Sequence, residues 1–357
     1  MNATPILLHI LRDPAQAPSL TDADWDLLVR QAASARLDAT VQSLLDERGM
    51  LASVPPQVQV HFEWARTYAD RHRKAVHWEV RQIRAALEGL GLPLILLKGG
   101  AYAAAGLPAA RGRVFTDIDI LVPKERLDVV EAALMMHGWH AVHQDDYDQR
   151  YYRNWMHELP PMQHVKRATS IDVHHAILPL TARARPDSRL LREAAVAAGE
   201  DPALQVLAPA DMILHSATHL FYGEFDNSLR DLVDIHRLLQ EFGSRPGFWR
   251  ELDARARSLE LGRPLFYALR YAVRLLGTPV PAQALRASAA WAPGRALLAL
   301  IDALMVRGLM PPHASCRLPG TGAALLALYV RSNWLRMPPL LLARHLFHKA
   351  FLSPQPG

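Results

Sequence analysis

Cysteine is almost missing from this chain: Cys316 stands alone, so no intrachain disulfide can form and the composition fits a reducing compartment. Long apolar runs are missing too. Ala296–Val306, broken by Asp302, and Gly322–Val330 are the longest, short of the roughly 18–20 residues a membrane span needs. Ile6-Leu7-Leu8 near the N-terminus is too short for a secretory signal and no basic stretch precedes it. There is no dense Lys/Arg run. A net charge of +5 over 357 residues admits an anionic ligand without arguing for a nucleic-acid surface. Neither a repeat nor a low-complexity tract is visible. What remains is an ordinary globular composition, half hydrophobic and 21% charged, enough for a large core and two or three domains. The expectation is a cytoplasmic protein. The basic C-terminal piece Met337–Phe351, with Arg344, His345, His348 and Lys349, reads as a helix packed on the body in preference to a membrane contact.

Residues 1–90 carry helical spacing through Trp25, Leu27, Leu28 and Val29, and again through Phe62, Trp64, Ala65 and Tyr68. Thr21 followed by Asp24 reads as an N-cap, and a long helix is expected from about Val58 to Leu90, ended by Gly91. The period then changes. Leu94-Ile95-Leu96-Leu97 predicts a short buried strand, Lys98-Gly99-Gly100 a turn, and Ala101–Ala105 a short helix. Phe115–Val122 predicts a second strand, and Pro123 opens a helix over Lys124–His137 that Gly138 ends. Trp139–His143, Tyr151–His157, Met162–Lys166 and Ser170–His175 are expected as strands of an antiparallel extension, with Gln144–Asp148 as a solvated acidic loop. Helices follow from about Leu178. This order predicts an α+β fold: a mixed sheet at 91–178 with helices on one face, flanked by helical regions at 1–90 and 179–310 and a basic helical tail at 311–357.

Within the second strand, alternation places Asp117 and Asp119 on one face and Thr116, Ile118, Ile120 and Val122 on the other. Same-face residues on a strand lie roughly 6.5–7 Å apart, so the two carboxylates repel unless a cation lies between them. Hard oxygen ligands suit Mg²⁺ or Mn²⁺. Ile171-Asp172-Val173-His174 offers a third carboxylate on a strand that could lie beside the first, with His174 on the face of Asp172. Two-metal phosphoryl chemistry needs such a convergence of acids. Gly99 and Gly100 would let backbone approach a phosphate, and Lys98 and Arg113 would neutralise it.

These residues resemble the polymerase-β-like nucleotidyltransferase superfamily: Gly-Gly at a strand–helix turn, Asp-x-Asp on the next strand, then a later Asp strand. More narrowly, "LLKGGAYAAAGLPAARGRVFTDIDILVP" with "IDVHHAI" resembles the bacterial group of uncharacterised nucleotidyltransferases, as does the tract around His215, His219 and "LRDLVDIHRLL" (Leu229–Leu239). The resemblance covers most of the chain, with its specific motifs in about eighty residues. It implies transfer of a nucleoside monophosphate, with ATP the expected donor, to a hydroxyl or phosphate acceptor on a small molecule, a peptide natural product or a protein side chain. Asp117, Asp119 and Asp172 would be metal ligands and catalytic; Lys98, Gly99, Gly100 and Arg113 would bind the nucleotide. His174 and Arg230 are candidates for positioning the acceptor or the carboxylates. Gly100 stands where the superfamily usually has Ser, which removes a hydroxyl, and the long Gly-to-Asp spacing predicts an enlarged loop at 106–113.

Other readings of the same residues remain open. The domain could bind nucleotide without turnover, or hydrolyse a phosphoester with no acceptor. Arg113 could serve as a salt bridge that stiffens its loop. His215 and His219, four apart on a helix, lack a third ligand for zinc and are expected to serve the core.

Overall fold

The computed structural model describes residues 4–142 and 146–343. Helices α1 (Ile6–Arg12), α2 (Asp22–Ser34), α3 (Asp38–Glu47) and α4 (Pro56–Leu87) precede the sheet. Thr21 and Asp24 form the full capping box of α2, each side chain bonding the other's backbone N–H. Pro56 sits at the start of α4, where no backbone N–H is required of it, and Gly91 (φ 63°) closes the turn that follows.

Seven strands form one mixed sheet: β1 (Leu94–Leu96), β2 (Asp117–Leu121), β3 (Trp139–Ala141), β4 (Met162–His164), β5 (Ser170–His174), β6 (Val196–Ala197) and β7 (Leu204–Val206), in the order β3-β4-β5-β2-β1-β7-β6. The pairs β2–β5 and β1–β7 are parallel and the other four antiparallel. Helices α5 (Lys98–Ala104), α6 (Leu127–Met136) and α7 (Asp146–Trp155) lie between strands, and α8 (Ser188–Glu193) precedes β6. The rest is helical: α9 (Pro209–Tyr222), α10 (Ser228–Phe242), α11 (Phe248–Ser258), α12 (Gly262–Leu276), α13 (Ala282–Ala289), α14 (Arg295–Gly308) and α15 (Thr321–Arg336). This is the expected α+β architecture. One continuous core joins its parts, running from Trp25 and Phe62 through Ile120 and Ile171 to Phe221 and Tyr271.

Several local expectations change. Tyr151–His157 is not a strand: α7 covers Asp146–Trp155, and the rings of Tyr151 and Trp155, one helical turn apart, meet edge to face at 5.9 Å. Aromatic β-propensity misleads there because the spacing is helical. Gln144 and Asp145 of the acidic stretch lie outside the described residues, and Asp146–Asp148 are helical, not loop. The chain is not purely helical after Leu178, since β6 and β7 complete the sheet beside β1. Residues 344–357, with Arg344, His345, His348 and Lys349 of the basic tail, lie outside the described residues. Among the described residues, no helix is long and apolar enough to cross a membrane.

Candidate active site

Strand pairing decides where the acids meet. β2 and β5 run parallel in a register that makes Asp119 and Asp172 direct Cα partners and sets Asp117 opposite Ser170. β1 runs antiparallel to β2, so the end of β1 delivers Lys98 to the edge where β2 begins. Lys98 has φ 46°, a left-handed conformation that costs a non-glycine residue roughly 1–2 kcal/mol. Its Nζ donates to Asp119 Oδ1 at 2.6 Å.

Asp119 is buried and doubly held, since His174 Nε2 also lies 2.9 Å from the same Oδ1. Burial alone would raise its carboxyl; Lys98 and then His174 outweigh burial and hold it far below the usual carboxylate range. Lys98 is shifted the other way: burial opposes its charge, but Asp119 keeps it protonated well beyond an ordinary lysine. Asp172 has no such cation. Burial first, then the charges of Asp119 and Glu158, push its carboxyl well above the usual range. His174 remains easier to protonate than a free imidazole, because Glu158 and Asp119 overcome the effect of burial.

Asp119, Asp172 and His174 each offer a ligand atom, all within 4.8 Å of one another. Two carboxylates and an imidazole around one point fit a divalent cation. Asp117 stands apart from that trio. It lines the same cleft, half-buried, and its Oδ1 accepts from the Thr116 hydroxyl at 2.9 Å.

Glu158 is a site residue that the sequence reading passed over. It bridges to His174 outside the regular strands, its Oε2 lies 3.2 Å from His174 Nδ1, and with His157 and His174 it forms a second group of donors within 4.8 Å. The only signal was an acid placed just before Leu159-Pro160-Pro161.

The remaining predicted residues divide. Gly99 faces no open space: a Cβ built there would lie 2.8 Å from Phe115 Cδ1 and 2.9 Å from Arg113 Nε. Its bareness is required by packing around the turn, whereas Gly100 has its nearest neighbour, Ile118 Cγ2, at 3.8 Å. Both glycines lie inside α5, which starts at Lys98 and not at Ala101. Arg113 lines the cleft but is buried in an ion pair with Asp234 and lies over the Tyr102 ring at 5.4 Å, so the loop-stiffening role is the one its contacts match. The enlarged loop is otherwise braced by Arg237, which donates to the carbonyls of Pro108 and Arg111 at 2.9 and 3.1 Å. Arg230, held to Asp231 at 3.1 Å, faces the cleft. His215 is buried and kept neutral by burial, and His219 Nδ1 is 3.4 Å from Asp231 Oδ2; neither joins a three-ligand group among the described residues.

A family model described as "Uncharacterised nucleotidyltransferase" matches residues 21–277. The chain belongs to that family. The match takes in every strand of this nucleotidyltransferase's sheet and all the cleft residues from Lys98 to Asp234, and it ends at the close of α12. No curated protein matches the chain.

Proposed function

We propose that this nucleotidyltransferase carries a nucleoside monophosphate from an NTP, with ATP the expected donor, to a hydroxyl or phosphate on an acceptor, releasing pyrophosphate. The observation that carries the reading is the direct pairing of Asp119 with Asp172 at the edge where Lys98 enters. Asp119, Asp172 and, from the same cleft, Asp117 would hold Mg²⁺ or Mn²⁺. When bound, the metal supplies Lewis-acid stabilisation of charge on the transferring phosphoryl group and acidifies the acceptor oxygen. His174 fixes the carboxylate plane of Asp119 through Nε2 and is itself flanked by Glu158. Lys98 neutralises Asp119 and stands where nucleotide phosphates would need a cation. Asp172, whose carboxyl is pushed up by burial and then by the neighbouring acids, is the group suited to accept a proton from an attacking hydroxyl.

Incubation of the purified protein with α-labelled NTPs, Mg²⁺ and a cell extract should yield a labelled product and stoichiometric pyrophosphate, both abolished in Asp119→Asn. Phosphate release with no labelled acceptor would favour a phosphohydrolase. Tight Mg·ATP binding with no turnover in any extract would favour a silent nucleotide-binding module.

A further inference from the structure

A roomy cavity lies beside the acids, not on them. It holds about 430 Å³, within the roughly 300–1,000 Å³ range of small-molecule sites, and sits between the start of α10 and the α14–α15 pair. Phe225, Met310, Leu325 and Tyr329 give it apolar walls. Glu224, Asp226, Asn227 and Arg230 line both this chamber and the cleft that holds Asp172 and His174. Only Asn227 and Arg230 are shared with the cleft that holds Gly99 and Asp119. The chamber therefore opens mainly towards Asp172. At its mouth Leu325, Leu326 and Tyr329 are 41%, 65% and 45% exposed, an apolar rim with no covering element among the described residues.

The far wall has a second distinction. Met310, Leu325, Leu326 and Tyr329 lie beyond residue 277, where the family match ends. The matched part carries the acids, Lys98 and the near wall of the chamber from Glu224 to Arg230; the unmatched part adds the far wall.

Resting on the transfer reading above, we propose that the chamber binds the acceptor and selects an amphiphile: an aliphatic or aromatic body in the chamber, with an alcohol or phosphate monoester reaching past Arg230 to Asp172. The acceptor oxygen would bond the α-phosphorus while the bond from that phosphorus to the α,β-bridging oxygen breaks. The electron pair leaves on pyrophosphate, and the proton of an alcohol passes to Asp172. A sugar phosphate, with no apolar body, would leave the chamber walls wet and gain little from them.

The test uses the full chain with n-decyl phosphate, n-decanol and glucose 1-phosphate as probes. Calorimetry should show one decyl phosphate bound without nucleotide, and at least about tenfold weaker in Leu325→Glu and Leu326→Glu, whose partly exposed positions spare the fold as judged by unchanged melting. With α-labelled ATP and Mg²⁺, both decyl probes should be labelled in preference to glucose 1-phosphate. Leu325→Glu should raise the KM for decyl phosphate by at least about tenfold and leave the KM for ATP within about twofold. Decyl phosphate binding that is absent, or equal in both variants and the parent, overturns the proposal. So does efficient labelling of glucose 1-phosphate that the variants do not slow, an outcome that leaves the transfer reading standing. Variant-sensitive binding without labelling of either decyl probe would make the chamber a ligand site that does not present the acceptor and would overturn the proposal, while the extract assay above judges the transfer reading separately.

Discussion

Gly99 and Gly100 are neighbours in sequence and opposites in surroundings. Adding a methyl at 99 drives it against Phe115 and Arg113, while at 100 it meets only ordinary contact with Ile118. Gly99→Ala should destabilise the protein by about 1–3 kcal/mol, as overpacking does. Gly100→Ala should be neutral or gain up to about 1 kcal/mol from helix propensity. Urea unfolding of the two variants would reveal the asymmetry, and equal losses would show that the turn is not packed as described. Asp172 is argued at the same scale. Because it partners Asp119 on the chamber side, Asp172→Asn should leave Mg·ATP affinity within a few-fold and lower the transfer rate by about 10³-fold or more. A variant that loses ATP affinity but keeps its rate at saturation would assign the residue to the nucleotide. The acids were legible in the sequence because a charge on a strand contradicts its surroundings. Glu158 was not, because its link to His174 is a lone bridge outside any periodic segment. For Arg113 a loop-stiffening salt bridge was legible as one alternative, but not its partner, because Asp234 lies 121 residues away in α10.

Among elements, length controlled what could be read. β2 and β5 each span five residues, enough for alternation to show which side chains share a face. β6 and β7, with two and three residues, are too short to display a period and stayed hidden among helices. α7 was concealed by composition, its aromatic residues favouring strand where their four-residue spacing favours helix. The tie between the 106–113 loop and α10 is an element-scale contact with a measurable cost. Both partners of the Arg113–Asp234 pair are about nine-tenths buried, so Asp234→Ala would strand a guanidinium. A loss of about 3–5 kcal/mol in urea or thermal unfolding is expected. A loss below 1 kcal/mol would mean that the arginine finds water or a phosphate instead.

At the scale of the whole molecule, stability should depend on pH through histidines kept neutral by burial. His236, whose Nδ1 lies 2.8 Å from Thr278 Oγ1, is pulled down to about 4 by burial and then by Arg237. The unfolded chain takes up that proton first, near the ordinary histidine value of about 6.5. Its contribution is thus complete above about 6.5 and drains away as pH falls towards 4, by an amount on the order of 2 kcal/mol. His157 and His215, also held low by burial, add to the same slope. Denaturant melts at pH 7.5, 5.5 and 4.5 should show His236→Gln losing less stability on acidification than the parent; parallel curves would remove His236 from the account.

The position of β1 has a consequence for the order in which the molecule assembles. One edge of β1 pairs with β2, close by in the chain, but the other pairs with β7, whose first residue pairing is Leu94 with Leu204. A chain emerging from the ribosome can build β2, β3, β4 and β5 and bring the carboxylates together while that second edge is still bare. The edge, Leu94-Ile95-Leu96, is a row of apolar residues with open backbone groups, the kind of surface that invites wrong partners until it is covered. Pairing across more than a hundred residues is also the slow step expected from chain topology. Lys98 hangs directly from this strand. The local β1–β2 pairing already brings it to Asp119, so the acids and their balancing lysine can assemble early, and it is the outer edge of β1 that stays bare until the chain beyond residue 200 has folded back.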